Sequence, residues 1–416
     1  MKKPFIINTN LISNMISVEE AFQIVLQHPF CSQPEPVALL DASNRILAED
    51  IVADRDFPPF NRVAMDGIAF LLEAINPSEI VLENTQYAGE SQKSLLDTKA
   101  CLEVMTGAVL PLGCDTVVRY EDVAFFEKDE QKFASITIPF DELKKGQNIH
   151  QQGIDKQQGQ RLLAKGTKIS PAEIAVIASV GKPFVLVESL PKVAVISTGD
   201  ELVEINTQPQ PHQIRMSNSY MLASALSIAG IRANLFHLID HKELLSQKLS
   251  EILALHDIIL LSGGVSVGKK DFVPEILSRL GVQKLFHKVA QKPGKPFWFG
   301  VQQNEAGQTT KHLFALPGNP VSTFLCFTKY ALPIIKQALP KYEEVILAKS
   351  VFFKPPLTYF APAKVYFENG QILAIPFEGS GSADFANLTE CDGFVELSPE
   401  KQEFIQGEIV KFIRFR

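Results

Sequence analysis

From Lys192 onward the apolar positions change rhythm every ten to fifteen residues. KVAVIS (192–197) is a continuous apolar run of strand length, and SNSYMLASALSIAG (217–230) then sets Met221, Leu222, Ala225, Leu226 and Ala229 on one helical face. ANLFHLI predicts a second strand and KELLSQKLSEILAL a second amphipathic helix. DIILLS, the helix VPEILSRL, extended FWFGV and HLFAL, and a last helix VSTFLCFTKYALPIIKQ complete the series. Strands separated by helices predict a parallel sheet covered on both faces, placed at 191–338. Upstream, Ser17-Val-Glu-Glu20 is a capping box before AFQIVLQ, and Ser170-Pro171-Ala-Glu173 opens a short helix that Gly181 ends. Between Asp50 and Gly146, glycines and the pair Pro58-Pro59 cut the chain into short apolar runs, which predict strands and turns. The stretch 339–416 reads as all-β, with Asn369-Gly370 between KVYFE and QILAIP as a hairpin signal.

Composition narrows the class. The 416 residues are 46% hydrophobic and 21% charged, ordinary for a folded chain and enough for two to four domains. Forty basic against 47 acidic side chains leave a net charge of −7, with no global footprint for nucleic acid or an anionic membrane. Any anion must be held by a local patch. The 5 cysteines are scattered and none forms C-x-x-C, so neither a disulfide framework nor a thiolate zinc site is expected. The opening MKKPFIINTNLISN lacks an apolar signal core, and no run reaches the roughly 18 residues of a membrane span. A cytoplasmic location is expected.

In open α/β sheets ligands collect at the carboxyl ends of the strands, and three such ends carry unusual loops. Ser197-Thr198-Gly199-Asp200-Glu201 puts a glycine beside two carboxylates, which suits Mg²⁺ or a polar ligand but also a solvated turn. Ser262-Gly263-Gly264-Val265-Ser266-Val267-Gly268 is neither a Walker loop nor G-x-G-x-x-G. Its glycines still allow backbone N–H groups to approach an anion. Asp271 follows, either as a helix cap or facing the ligand. In Leu316-Pro317-Gly318-Asn319-Pro320, Asn319 suits an N-cap and Pro320 the first helical position. That leaves Pro317-Gly318 to shape a turn toward a ligand, with Ser322 just beyond.

Residues 269–295 add a charge anomaly. Seven basic side chains (Lys269, Lys270, Arg279, Lys284, Lys288, Lys292 and Lys295) face only Asp271 and Glu275. Lys292-Pro-Gly-Lys295 holds two ammonium groups in one turn, an arrangement that an anion offsets. No G-x-S-x-G elbow or H-E-x-x-H occurs. Asp155, Asp200, Glu201, Asp240 and Asp271, in loops or at element ends, suit metal-assisted chemistry on a phosphoanhydride instead.

Together these stretches resemble the molybdopterin molybdenumtransferase family. The matching segments run in order: RILAEDIVADRDFPPF, AMDG at 64–67, MTGAVLPLGCDTVVRYED, GTKISPAEIAVIASVG, STGDEL, SNSYML, SGGVSVGKKDF, FHKVAQKPGKPFWFG and LPGNPVS. They cover nearly the whole chain. The resemblance implies insertion of molybdenum from molybdate into adenylylated molybdopterin, with Mg²⁺-dependent pyrophosphate cleavage and release of AMP. It implies a multidomain elongated subunit, α/β plus β: a discontinuous α+β domain (1–47 and 146–190), an inserted β-rich domain (48–145), a three-layer α/β molybdopterin-binding domain (191–338) and a C-terminal β domain (339–416). It further implies a homodimer whose active cleft is shared between subunits, working with a molybdopterin adenylyltransferase and with acceptor molybdoenzymes, and with neither nucleic acid nor membrane.

Carried onto this chain, the resemblance makes Asp200, Glu201, Asp240 and Asp271 the metal-facing set and gives Asp155 an acidic role. Lys288, Lys292 and Lys295 would hold phosphate or molybdate. Thr198, Gly199, Ser262, Gly263, Gly264, Ser266, Gly268, Pro296, Pro317, Gly318, Asn319, Pro320 and Ser322 would line the pocket, with Asp66 approaching from the other subunit. Three positions depart from the family pattern: His150-Gln151-Gln152 where arginines are frequent, Val63 where serine is usual, and Pro362 near a usual arginine. Two other readings stay open at this point, a molybdopterin adenylyltransferase and a non-catalytic scaffold of the same fold.

Overall fold

The structure, a computed structural model, describes residues 15–239, 241–263, 272–377 and 385–416. The chain forms two compact units, Met1–Gln33 with Ser189–Arg416 and Pro34–Glu188.

The first unit is built on a six-stranded sheet in the order Asn234–Leu238, Val193–Thr198, Ile258–Ser262, Thr309–Leu316, Trp298–Gln303, Gln283–His287. Side chains alternate across it. Val193 and Val195 face one core with Leu222, Leu226 and Phe314, while Ala194 and Ile196 face another with Leu245, Leu249, Ile276 and Trp298. The apolar run KVAVIS is continuous because both faces are buried.

The sheet departs from the expectation of an all-parallel one. The four strands at one side are parallel, but Trp298–Gln303 runs antiparallel to Thr309–Leu316, and Gln283–His287 antiparallel to Trp298–Gln303. The connection 304–308 is too short for a crossover, so only an antiparallel return is possible. The last helix also breaks, into Pro320–Cys326, a π-helical turn Phe327–Ala331 and Leu332–Lys336. Pro333 has no N–H to donate to Lys329, so the regular ladder cannot run through.

The helix Val18–Leu26 has the capping box expected at Ser17 and Glu20. The expected domain division places it in the discontinuous domain, yet Val18, Ala21, Phe22 and Val25 pack into the α/β core. Downstream, Thr358–Glu368, Gln371–Pro376, Tyr342–Leu347, Ile409–Arg414 and Gly393–Leu397 pair in sequence, and the last pairs back to the first. The pairings close these five strands into a barrel, and the hairpin at Asn369-Gly370 forms as expected. One further two-residue strand, Gln291–Lys292, leaves the α/β part to pair with the barrel at Thr358 and Tyr359.

In the second unit a six-stranded sheet runs in the order Thr116–Arg119, Gly67–Phe70, Ala100–Val104, Ile80–Gln86, Gln131–Ile136, Val123–Lys128. Two-stranded pairs, short 3-10 turns and the capped helix Pro171–Ser179 accompany it.

His312 gives this fold a pH signature. Its ring is fully buried, Nε2 donates to the His28 carbonyl at 2.7 Å, and Nδ1 has no partner among the described residues. Burial pulls its pKa down to about 4, with the His28 carbonyl and Asp257 acting weakly the other way and His28 adding to the fall. Between that value and the ordinary 6.5, the unfolded chain binds the proton and the folded one does not. Stability from this group is therefore complete above pH 6.5 and is lost as pH falls toward 4, by about 3 kcal/mol in all. Urea titrations at pH 7.5 and pH 5 should show a smaller loss in His312→Gln than in the parent. Equal losses would exclude the histidine as the cause.

Candidate functional site

Parallel pairing sets Ser197 beside Ser262 and Ser262 beside Leu316, so the loops after three strands open at one level. Asn218, the first residue of helix Asn218–Ile228, binds them together. Its Nδ2 lies 2.8 Å from Ser262 Oγ, 2.7 Å from the Gly318 carbonyl and 3.2 Å from Thr323 Oγ1. Thr323 in turn donates to the Pro317 carbonyl, which fixes the Pro317-Gly318 turn from inside. Gly263 has φ 97°, and a Cβ there would sit 2.7 Å from the Thr198 carbonyl, so only glycine lets these two loops touch.

Two polar atoms at these strand ends are unsatisfied. Thr198 Oγ1 and Asn218 Oδ1 are buried without a hydrogen-bond partner among the described residues. Such groups are costly unless a ligand or water completes them. Gly199 follows with φ 136°, its carbonyl 3.2 Å from His237 Nε2. Asp200 and Glu201 are exposed at the same strand end. These hard carboxylate oxygens suit Mg²⁺, although no group of three metal-holding side chains occurs among the described residues. Asp240, Asp271, Gly264, Ser266 and Gly268 lie outside the described residues.

The lysine loop is seated beside this cluster. Lys288 has φ 75°, Lys288 N donates to Phe297 O at 2.9 Å and Val289 N to Lys295 O at 3.0 Å, closing 288–297 into a compact loop. Gly294, at φ 91°, has no room for a side chain. A Cβ would lie 2.7 Å from both Cys326 Sγ and Gln291 Nε2 and 3.7 Å from the Ser322 carbonyl. Helix Pro320–Cys326 therefore touches the strand-end cluster through Thr323 and the lysine turn through Ser322 and Cys326. Lys292 is exposed, with Nζ 5.4 Å from the centre of the Phe353 ring. Lys288, Lys295 and Pro296 are half-buried, and Ser322 is buried. Asn319 and Pro320 occupy the N-cap and first helical positions as expected, but the Asn319 side chain makes no capping bond.

In the second unit, Asp66 accepts from Thr106 N at 2.6 Å and Thr106 Oγ1 at 2.7 Å, and both bonds lower its pKa. Asp155 is exposed, its N–H bonded to the Phe57 carbonyl at 3.0 Å. The positions that depart from the family pattern are structurally occupied. His150 Nδ1 lies 3.1 Å from the Arg62 guanidinium, Gln152 donates to Asp56 at 3.0 Å, and Val63 is fully buried.

The sequence alone marks no role for Asn218 within SNSYML, nor for Thr323, Gln291 and Phe353. The signal for Asn218 was an amide opening a helix between two strand-end loops. For the others the signal is contact across long sequence separations, which no local pattern carries.

A relative from Synechocystis sp., named molybdopterin molybdenumtransferase, is 38% identical over 96% of this chain and 99% of its own length. The chain belongs to the molybdopterin molybdenumtransferase family. A second protein of that name, from Bacillus subtilis, is 33% identical over 96% of this chain and 94% of its own. Family models match in three blocks: MoeA N-terminal region (domain I and II) at residues 16–181, probable molybdopterin binding domain at 194–337, and MoeA C-terminal region (domain IV) at 344–415. The crystal structure of the molybdopterin biosynthesis moea protein from Pyrococcus horikosii covers 97% of this chain and all of its own, at TM-score 0.80 and 29% identity. The fold class is thus that of the family, α/β with flanking β-rich domains. No described helix is long and apolar enough to cross a membrane.

Proposed function

We propose that this chain inserts molybdenum from molybdate into adenylylated molybdopterin, hydrolysing the pyrophosphate bond and releasing AMP. The observation that carries this reading is the helix Pro320–Cys326, which joins the polar side chains at three strand ends to a lysine-bearing turn. The strand ends offer a neutral hydroxyl and an amide oxygen, Thr198 Oγ1 and Asn218 Oδ1, with unmet hydrogen-bonding capacity for a polar heterocycle or sugar. Lys288, Lys292 and Lys295 supply positive charge for phosphate and for the molybdate oxyanion. Asp200 and Glu201, with Asp240 and Asp271, are the residues that would hold Mg²⁺. When bound there, the ion supplies charge neutralisation for the phosphoanhydride. Gly199, Gly263, Gly264, Ser266, Gly268, Pro296, Pro317, Gly318, Asn319, Pro320 and Ser322 line the pocket in this reading.

The wider reading is a cytoplasmic homodimer in which Asp66 approaches the cleft of the other subunit, supplied by a molybdopterin adenylyltransferase and delivering to acceptor molybdoenzymes. The domain division stays as 1–47 with 146–190, 48–145, 191–338 and 339–416, save that helix Val18–Leu26 belongs with the α/β core.

The test is AMP release from adenylylated molybdopterin with Mg²⁺, with and without molybdate. Release should depend on molybdate and fall about a hundredfold in Asp271→Asn, with oligomeric state unchanged. Tight binding without release would replace the enzyme by a binding protein of the same fold. Undiminished release in Asp271→Asn would remove that carboxylate from the reaction.

A further inference from the structure

Gln291 is an amide in the wrong company. It is 0% exposed, among Val289, Phe297, Cys326 and Tyr330 of the largest apolar core. Burying an amide there is unfavourable unless its polar atoms are matched. They are. Tyr330 donates its hydroxyl to Gln291 Oε1 at 2.5 Å, while Gln291 Nε2 reaches the Gly294 carbonyl at 3.3 Å and Cys326 Sγ at 3.4 Å. Cys326 lies 3.8 Å from the same Gly294 carbonyl, in position to donate its S–H. An aliphatic side chain would fill this space without needing three partners, so the amide calls for a reason.

The target of its grip supplies one. Gly294 is the third residue of Lys292-Pro293-Gly294-Lys295, so its carbonyl sits between the two lysines. The turn is fixed from three sides: by Gln291 beneath, by helix Pro320–Cys326 against Gly294, and by pairing of Lys292 with Tyr359 of the barrel. Two ammonium groups this close in sequence repel and would splay apart if the turn were loose. Pre-fixed charges need no reorganisation when an anion arrives.

We propose that Gln291 is a positioning residue that, through the Gly294 carbonyl, holds Lys292 and Lys295 in the attitude that receives the anionic part of the substrate. This rests on the function proposed above, and it concerns affinity for the anion rather than the chemical step. Tyr330 fixes the amide's orientation: with Oε1 committed to the hydroxyl, Nε2 is turned to the glycine.

The experiment uses the full chain and Gln291→Met, which keeps length and apolar bulk but removes both polar atoms. In the AMP-release assay KM for adenylylated molybdopterin should rise about tenfold while kcat stays within about twofold. A second readout needs no turnover. After reductive ¹³C-methylation of the lysines, the Lys292 dimethylamine resonance, identified by its absence in Lys292→Arg, should be displaced by the Phe353 ring in the parent. It should return toward the undisplaced position in Gln291→Met. Tyr330→Phe, which removes only the hydroxyl, should move both readouts in the same direction by less, and serves if Gln291→Met does not fold. A lower melting temperature with KM and the Lys292 resonance unchanged would overturn the proposal and leave Gln291 a structural residue. Movement of the resonance in a chain that shows no molybdate-dependent AMP release would keep the positioning role and sink the proposed reaction instead.

Discussion

Gly67→Ala is expected to prevent the sheet of the second unit from forming as it stands. Gly67 opens the strand Gly67–Phe70, which is flanked on both sides, by Thr116–Arg119 and by Ala100–Val104. A Cβ at this position would lie 1.9 Å from the Val118 carbonyl oxygen and 2.8 Å from Arg119 Cα. The three nearest atoms, Val118 O, Val118 C and Arg119 Cα, are all backbone, so no rotamer change relieves the clash. Opening either pairing breaks ladder bonds and uncovers Ile68 and Phe70, both fully buried. Overpacking at a well-packed position is destabilising by about 1–3 kcal/mol, and a clash against rigid backbone belongs above that range. The strand also positions Asp66, whose carbonyl accepts from Tyr120 N at 3.0 Å. Thermal unfolding of Gly67→Ala should show the transition of the unit Pro34–Glu188 lowered by more than about 6 °C or absent, on the basis of about 2–4 °C per kcal/mol for a unit of such size. A melting curve that overlays the parent would refute the steric account.

That glycine belongs to AMDG, which the sequence presents as one of several motif fragments with no physical reason attached. The structure provides the reason, since neighbouring backbone occupies the space of a side chain. Legibility followed locality throughout. Both capping boxes, at Ser17 and Ser170, were readable because all their atoms lie within four residues. The Asn369-Gly370 hairpin was readable because two positive φ angles, 50° and 79°, demand those residue types. The strands of the α/β sheet announced themselves as apolar runs, but a run does not state its direction, so the antiparallel return at Trp298–Gln303 was invisible. The strand Gln283–His287 leaves no apolar run of strand length, because its first two residues, polar Gln283 and charged Lys284, are both exposed. At the site, glycine turns and clustered lysines marked the place. How the loops are fastened depends on Asn218 meeting Gly318, a hundred residues on, and on Gly294 meeting Cys326.

Lys329 lies in the π-helical turn, where periodicity makes it one more polar position of an amphipathic helix. Its side chain is only 3% exposed. Nζ is 3.0 Å from Glu396 Oε2 and 3.1 Å from the Tyr342 hydroxyl, within 5.1 to 5.4 Å of the centres of Phe22, Phe360 and Tyr342. The ammonium thus ties the last α/β helix to the strands Tyr342–Leu347 and Gly393–Leu397 of the barrel, and aromatic faces complete its shell. Lys329→Ala would remove the ammonium and leave Glu396, 19% exposed, facing an emptied aromatic cage. Breaking one side of a buried pair is destabilising by about 3–5 kcal/mol, and here a cavity adds to it. Lys329→Met fills the space but leaves the carboxylate alone, so it should recover only the packing part. The double change Lys329→Met with Glu396→Leu removes both charges and should regain most of the parent's stability, because the pair's attraction is largely offset by its desolvation. Chemical denaturation of the three variants measures these steps. Lys329→Met as stable as the parent would mean that the ion pair contributes nothing. If the double variant were no better than Lys329→Ala, Lys329 would instead act through the rings that surround it.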